Sequence, residues 1–356
     1  MQRTEIKKVL REALGVPHNI VEVSKNAYQR ILNWVKRLDS KDFEYGQGVS
    51  MNFRVDYQIA DFRFTTLKVK LGVDEHPKIK TPEIMSMAIR SQSRKTEDMR
   101  LEPIKNKTVD LVIVMLVPTD FNYEELPVYF EKNKNEIIEN LSHEFKHAYD
   151  HFKKLYDNPI QRAEYQSSIN LGFNFEPLDI FVHDIYFSSA NENLVRPSEI
   201  SAAIQTGQIS QKDFLEFLRS NDTYKNLKRI KDFNIQDFEN RILKDEKGLN
   251  KLLRKVGEKP KLMTPEEKLE SIYKLLYSVI SQKKIISFAE MIKTNFLEEL
   301  LGFQDEKKKV FDKFVSRVSR FENPKDFVKY YEKFFNYIGD KMIRKISKLY
   351  AITQKK

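Results

Sequence analysis

Cysteine is absent from this sequence of 356 residues. Its absence excludes a disulfide-stapled scaffold, a thiol nucleophile and every zinc or iron–sulfur site built on cysteine. Ten glycines and twelve prolines are too few for a collagen-like chain or for one dominated by flexible linkers. The most apolar run, 111–117, is far shorter than the roughly 20 residues of a membrane-spanning helix. Any metal ion must therefore be bound by His, Asp or Glu.

A secretory signal is also lacking at the N-terminus, because MQRTEIKKVLREALGVP carries charges every few residues and has no apolar segment. We therefore expect no membrane span and an intracellular, cytoplasmic location.

Positive charge is concentrated in the last third of the chain. Residues 241–356 contain 28 Lys and Arg against 16 Asp and Glu, whereas the first 240 residues contain 34 against 36. This excess favours an acidic partner protein or a membrane surface as the binding partner of the C-terminal third. Nucleic acid is less favoured, since the aromatic residues of 327–338 recur at helical spacing and are expected to form a core.

The period of the hydrophobic residues predicts an α+β fold. Within the first 40 residues it is helical, and it then alternates in 51–59 and 62–73, which predicts two strands joined at Ala60–Asp61. The apolar, β-branched run 109–118 predicts a central strand that is paired on both sides.

Helical spacing dominates after Pro118. A short helix interrupted by Pro127 precedes a long one that begins near residue 134, and amphipathic segments continue to the end. The segment IMSMAIR, 84–90, fits either a strand or a helix. We predict three regions: N-terminal helices in 1–45, a mixed sheet followed by a helix in 46–205, and a basic helical region in 206–356.

Residues 143–147 read HEFKH, an HExxH motif. His143 and His147 would project from adjacent helical turns, about 40° apart, and can therefore contact one ion. Apolar side chains lie on the opposite side of the same helix: Leu141, Phe145, Ala148 and Phe152. The histidines are thus predicted to face away from the side that packs on the sheet. A solvated histidine face is the alternative, which Asp150 and Lys154 would allow.

The motif, downstream of a predicted strand, resembles the zincin metallopeptidases over roughly residues 50–205. That resemblance implies a mixed sheet, an active-site helix, a zinc ion and a third ligand from later in the chain. It also implies that Glu144 is the general base acting on a zinc-bound water, with a protein or peptide as substrate. The chain is also similar to peptidases carried by large tailed bacteriophages, which would make it virion-associated.

The third ligand is predicted to be Glu192, because Asn191–Glu192 resembles the Asn-Glu pair of gluzincins. His151 is excluded, since it lies about 12 Å along the helix from His143. His183 and other carboxylates remain alternatives, although the apolar neighbours of His183 favour a buried histidine. Glu192 could instead be a surface carboxylate paired with Arg196.

Arg196 departs from the gluzincin pattern, which often has an acidic residue at this position. Asp184 or Glu199 is therefore expected to supply the carboxylate that contacts a ligand histidine. Pro197 is expected to end or kink the helix. Tyr186 is a candidate donor to the oxyanion by its position alone, and a core aromatic residue is the alternative.

These observations predict a zinc-dependent hydrolase, specifically a metallopeptidase with His143, His147 and Glu192 on the metal. A non-catalytic structural or virion assembly protein on a zincin scaffold is the first alternative, and the presence of Glu144 disfavours it. A nucleic-acid-associated factor is the second, and it depends only on the C-terminal charge.

Overall fold

The computed structural model describes residues 16–17, 19–43, 48–90, 108–153, 171–206, 213–296 and 304–354. Of the helical spacing within the first 40 residues, the part before residue 16 lies outside the described chain. The fold of the described part is α+β, with one mixed sheet and a large helical portion.

Four strands form the sheet within the described residues. They are β1 (Val49–Ile59), β2 (Phe62–Glu75), β3 (Glu83–Arg90) and β4 (Thr108–Val117). Their order is β1-β2-β4-β3, with β2 and β4 parallel and the other two pairs antiparallel.

The predicted hairpin and central strand are both confirmed. Strands β1 and β2 join at Ala60–Asp61, where Ala60 adopts a positive φ of 53° that closes the tight turn. Strand β4 is hydrogen-bonded on both sides, and its alternate residues are fully buried. The undecided segment 84–90 lies in β3, at one edge of the sheet.

Twelve α-helices lie in the described residues. They are α1 (Ile20–Val35), α2 (Leu126–Lys132), α3 (Lys134–Phe152), α4 (Glu176–Phe187), α5 (Ala190–Gln205), α6 (Phe214–Ser220), α7 (Asp222–Lys231), α8 (Ile235–Lys244), α9 (Glu246–Lys255), α10 (Pro265–Phe296), α11 (Gln304–Val318) and α12 (Pro324–Gln354). Short 3₁₀ turns occur at Ser40–Phe43, Tyr123–Glu125 and Pro260–Leu262. None of the described helices is both long and apolar enough to cross a membrane.

The structure corrects what the sequence predicted for two prolines. Pro127 lies in the first turn of α2 rather than interrupting it, because the N–H that proline lacks has no helical partner at that position. Pro197 does not end α5, which continues to Gln205, and a kink at Pro197 stays a prediction. Val195 and Ile200, on either side of Pro197, are both buried, and this packing retains the helix despite one missing hydrogen bond.

Helix α3 lies between the sheet and α5. The ring of Phe145 packs 5.7 Å from that of Phe64, and the ring of Phe152 lies 4.8 Å from that of Phe62. The opposite side of α3 is not solvated, because His143 is only 6% exposed and Asp150 is buried against Lys146. The solvated-face alternative is therefore wrong, and Lys154 lies outside the described residues.

The predicted aromatic core of the C-terminal third is confirmed. Phe327, Tyr331 and Phe335 of α12 are buried, with Phe335 packed against Phe181 of α4. One continuous cluster of buried apolar side chains extends from α1 to α12. The boundaries of the three predicted regions stay a prediction.

Candidate metal centre

Helices α3 and α5 bring two imidazoles and a carboxylate to one point. The Nε2 atoms of His143 and His147 lie 3.0 Å apart. Glu192 lies in the first turn of α5, where the backbone N–H of Glu192 donates to the hydroxyl of Ser189. Its Oε1 is 3.5 Å from Nε2 of His147, and its Oε2 is 3.7 Å from Nε2 of His143. The structure thus places the three predicted ligand residues together.

These separations fit a small tetrahedral cation. Zinc binds histidine nitrogen and carboxylate oxygen at about 2.1 Å, which places two ligand atoms of a tetrahedral site about 3.4 Å apart. The observed values of 3.0, 3.5 and 3.7 Å lie on either side of that edge length, and the last two are measured from different oxygens of Glu192. No large rearrangement is therefore needed for the three side chains to share one ion.

Glu192 is a buried carboxylate whose partners are charged groups. It is completely shielded from solvent, and its Oε2 forms an ion pair with Nη2 of Arg196 at 2.8 Å, although in the described residues neither oxygen accepts a hydrogen bond of good geometry. Burial raises its pKa, but nearby His147 and the charge of Arg196 outweigh burial, and the net result is a lowered pKa. A carboxylate that stays ionised in such a place is suited to bind a cation.

The other ring nitrogen of His143 faces Glu199, also on α5. Nδ1 of His143 lies 2.8 Å from Oε1 of Glu199, and the hydroxyl of Thr223 on α7 donates to Oε2. Burial opposes the charge on Glu199, but Arg196 and His143 lower its pKa to about 2. Burial likewise opposes protonation of His143, whereas Glu199 and Glu192 raise the histidine pKa overall. The contact between Glu199 and His143 lies at an ion-pair distance without good hydrogen-bond geometry, and it places Glu199 to orient the His143 ring.

Asp184 does not take this orienting role. It is buried on α4 and binds Arg229 of α7, which donates through Nε at 3.0 Å. Of the two carboxylates that the sequence left open, Glu199 is the one that contacts a histidine of the centre.

Glu144 lies beside the two histidines but is hydrogen-bonded to strand β3 of the sheet. The backbone N–H of Ile89, on edge strand β3, donates to Oε2 of Glu144 at 2.9 Å. Oε1 is left 3.8 Å from Nε2 of His143, and burial is the main cause of a raised Glu144 pKa. His143, Glu144 and His147 have potential ligand atoms within 4.8 Å of one another. Glu192 lies at similar distances, 3.7 Å from His143 and 3.5 Å from His147, and unlike Glu144 it is not tied to the sheet by a backbone hydrogen bond within the described residues.

His183 contacts Arg229 rather than the predicted ligands, whereas Tyr186 interacts electrostatically with Arg196, beside the centre. The side chain of His183 is 47% exposed and lies 3.1 Å from Arg229, so its expected burial is wrong. The buried positions of α4 recur at helical spacing, as in Phe181 and Ile185, and His183 lies off that side. Tyr186 is half-buried with its ring 6.3 Å from that of His183, and its role as an oxyanion donor stays a prediction.

Two contributors to the centre were not predicted: Thr223 reaches Glu199 from α7, and Ile89 supplies a backbone donor to Glu144. The pairing of Glu192 with Arg196, four residues later, was considered from the spacing as a surface pair. The structure shows that pair with Glu192 fully buried, and Arg196 also reaches Glu199.

The charges of the centre favour a cation. Three buried carboxylates, Glu144, Glu192 and Glu199, surround the histidines, and Arg196 is the one cation that pairs with them among the described residues.

Comparison with known protein families, with curated proteins and with solved structures finds no match to this chain.

Proposed function

We propose that this protein is a zinc-dependent hydrolase of the metallopeptidase type, with a zincin-like active site. The single observation that carries the proposal is the convergence of His143, His147 and Glu192 from two helices, at separations suited to zinc. A zinc ion held there would supply Lewis acidity and a water whose pKa is lowered to about 7.

Glu144 is the residue placed to move protons. Its Oε2 is held by the Ile89 N–H, so its Oε1 is the oxygen directed towards the histidines. In a buried site its raised pKa favours accepting a proton from an attacking water and returning it to the leaving amine. A purely structural metal site has no use for a carboxylate in this position.

Strand β3 offers a place for an extended substrate. It is the edge of the sheet next to Glu144, and the central strand β4 is paired on both sides. A peptide in extended conformation can add to such an edge through main-chain hydrogen bonds, apart from the N–H groups of Ile84 and Ile89, which already donate to Tyr129 and Glu144. We therefore favour a protein or peptide substrate over a small molecule.

The test is hydrolysis of a broad peptide library, followed by mass spectrometry, with zinc-loaded wild type and Glu144→Gln. Wild type is expected to cleave, and the variant to bind zinc equally but cleave about 10²- to 10⁴-fold more slowly. Glu136→Gln, an exposed residue of the same helix, is the matched control. Equal, metal-independent behaviour of wild type and Glu144→Gln would contradict the enzyme and favour the non-catalytic scaffold.

We also propose that one side of α9 binds an acidic partner. Four exposed basic residues share this side at helical spacing, opposite buried leucines: Lys247, Lys251, Arg254 and Lys255. Within the described part of the chain, none of the four forms an ion pair. Unpaired basic residues concentrated on one helix side attract an acidic surface.

Binding of a fluorescent polyglutamate peptide tests this second proposal. The double variant Lys251→Glu and Lys255→Glu should weaken binding, and the charge-matched double variant Lys333→Glu and Lys341→Glu on α12 should not. Binding should also weaken as salt rises from about 50 to 300 mM. Retention of duplex DNA with the same dependence on Lys251 and Lys255 would support the nucleic-acid alternative instead.

A further inference from the structure

We propose that Arg196 is a positioning residue. Its ion pair with one oxygen of Glu192 leaves only the other oxygen to bind a metal ion. This inference rests on the proposed metal site. It assigns a role to the residue that departs from the gluzincin pattern.

The guanidinium of Arg196 contacts two carboxylates at once. Its Nη2 lies 2.8 Å from Oε2 of Glu192, and its Nη1 lies 2.8 Å from Oε1 of Glu199. Nη1 donates a hydrogen bond to Glu199, whereas the contact with Glu192 is an ion pair. The planar fork of arginine keeps these two contacts at a fixed separation. Since Glu199 also contacts Nδ1 of His143, the contacts close a ring through His143, Glu192, Arg196 and Glu199.

Arg196 is fixed on a third side by an aromatic ring. Its guanidinium carbon lies 4.9 Å from the centroid of Phe187, within the range of a cation–π contact. The Arg196 side chain is 19% exposed and that of Glu192 is fully buried, so water does not compete effectively for their contact. The guanidinium therefore stays on Oε2 when a cation approaches the histidines.

The remaining oxygen of Glu192 is the one nearest the second histidine. Oε1 lies 3.5 Å from Nε2 of His147, whereas Oε2 is committed to Arg196. A carboxylate that gives one oxygen, together with two histidines, leaves a fourth position of a zinc-like ion open. A carboxylate that gives both oxygens would occupy a further position and crowd the water.

Arg196 and Glu199 thus act as a pair. The guanidinium charge alone would repel a divalent cation, and the Glu199 charge beside it offsets that repulsion. Glu199 also supplies the histidine contact that the gluzincin resemblance expects from an acidic residue at position 196. Glu199, one helical turn after Arg196, therefore takes the place of the acidic residue that the gluzincin pattern often has at position 196.

Cobalt(II) absorption in the visible range tests the inference on the full chain. Four-coordinate cobalt absorbs more intensely than five- or six-coordinate cobalt, so the spectrum reports how many ligand atoms surround the ion. Arg196→Gln is expected to lower the intensity several-fold, because both oxygens of Glu192 become free to bind. Arg196→Lys keeps the charge but contacts fewer oxygens, and its intensity should fall between those of wild type and Arg196→Gln.

Arg229→Gln is the matched control, because it removes an ion pair to a buried carboxylate, Asp184, outside the metal centre. Its cobalt spectrum should equal that of wild type. If Arg196→Gln fails to fold by circular dichroism, Arg196→Lys alone decides, and an unchanged spectrum overturns the inference. Cobalt binding by wild type with equal spectra for all Arg196 variants refutes the role of Arg196 only. Wild type that binds no cobalt refutes the metal site as well.

Discussion

Replacement of Glu199 by Gln tests how the structure orients the first histidine. The change keeps the size of the side chain but removes the charge that lies 2.8 Å from Nδ1 of His143. It also removes the partner that offsets the charge of Arg196. Both effects act in the same direction, because a less well oriented histidine and a less balanced guanidinium each disfavour a bound cation.

The expected loss of zinc affinity is about 10- to 100-fold, the usual effect of removing a group that orients a ligand histidine. This corresponds to about 1.4 to 2.7 kcal/mol of binding free energy. Thr223→Val, which removes only the hydroxyl that donates to Glu199, should weaken binding by a smaller factor. The order of the two variants follows from the distance of each group from the histidine.

Competition for zinc with a chromophoric chelator measures these affinities. Glu239→Gln is the control, since Glu239 also accepts hydrogen bonds from neighbours, Tyr273 and Lys325, but lies on α8 outside the metal centre. It should bind zinc as wild type does. Equal zinc affinity of wild type and Glu199→Gln, with both proteins folded, would refute the orienting role of Glu199.

Two further predictions concern stability. Phe145→Ala should lower the free energy of unfolding by about 3 to 5 kcal/mol, because this fully buried ring packs on Phe64. Val128→Ala is the control, and at a 61% exposed site it should change that free energy by less than about 0.5 kcal/mol. Urea titrations measure both values. Burial and the charge of Glu199 raise the pKa of Glu139 from 4.5 to about 7. Between these two pH values the native state keeps a proton on Glu139 that the unfolded state has lost. The free energy of unfolding should therefore fall as the pH rises from 4.5 to about 7. Glu139→Gln should remove about 3 kcal/mol of this fall between pH 5 and 8, and identical pH dependence of variant and wild type would contradict the reasoning.

The periodic elements of the fold were predictable because their burial repeats along the sequence. Alternation in β1 and β2 and the apolar run of β4 predicted the strands and their hairpin correctly. Strand β3 could not be decided, since its apolar residues fit either period. Its outer edge is fixed by distant partners, the Tyr129 hydroxyl at Ile84 and the Glu144 carboxylate at Ile89. Such long-range contacts leave no local pattern.

In the candidate site, too, some residues were predictable from local sequence patterns and others depended on long-range contacts. The spacing of His143 and His147 and the resemblance at Glu192 named three side chains that the structure places together, and their role as ligands stays a prediction. The choice between Asp184 and Glu199 could not be made from the sequence, because it depends on α7. That helix engages Asp184 through Arg229 and supports Glu199 through Thr223.

The local composition is misleading at His183. Its apolar neighbours favoured burial, but they occupy the other side of α4, and the histidine is left at the surface. Helical phase decides burial within a short apolar segment, and the number of apolar neighbours does not.

Zinc titration of the metal-free protein by calorimetry tests the central claim most directly. Wild type should bind a single equivalent, and His147→Ala and Glu192→Ala should each bind it at least about 100-fold more weakly, as expected for loss of one ligand. His183→Ala, outside the centre, should bind as wild type does. Wild type that binds no stoichiometric zinc, or His147→Ala that binds it equally well, would contradict the account.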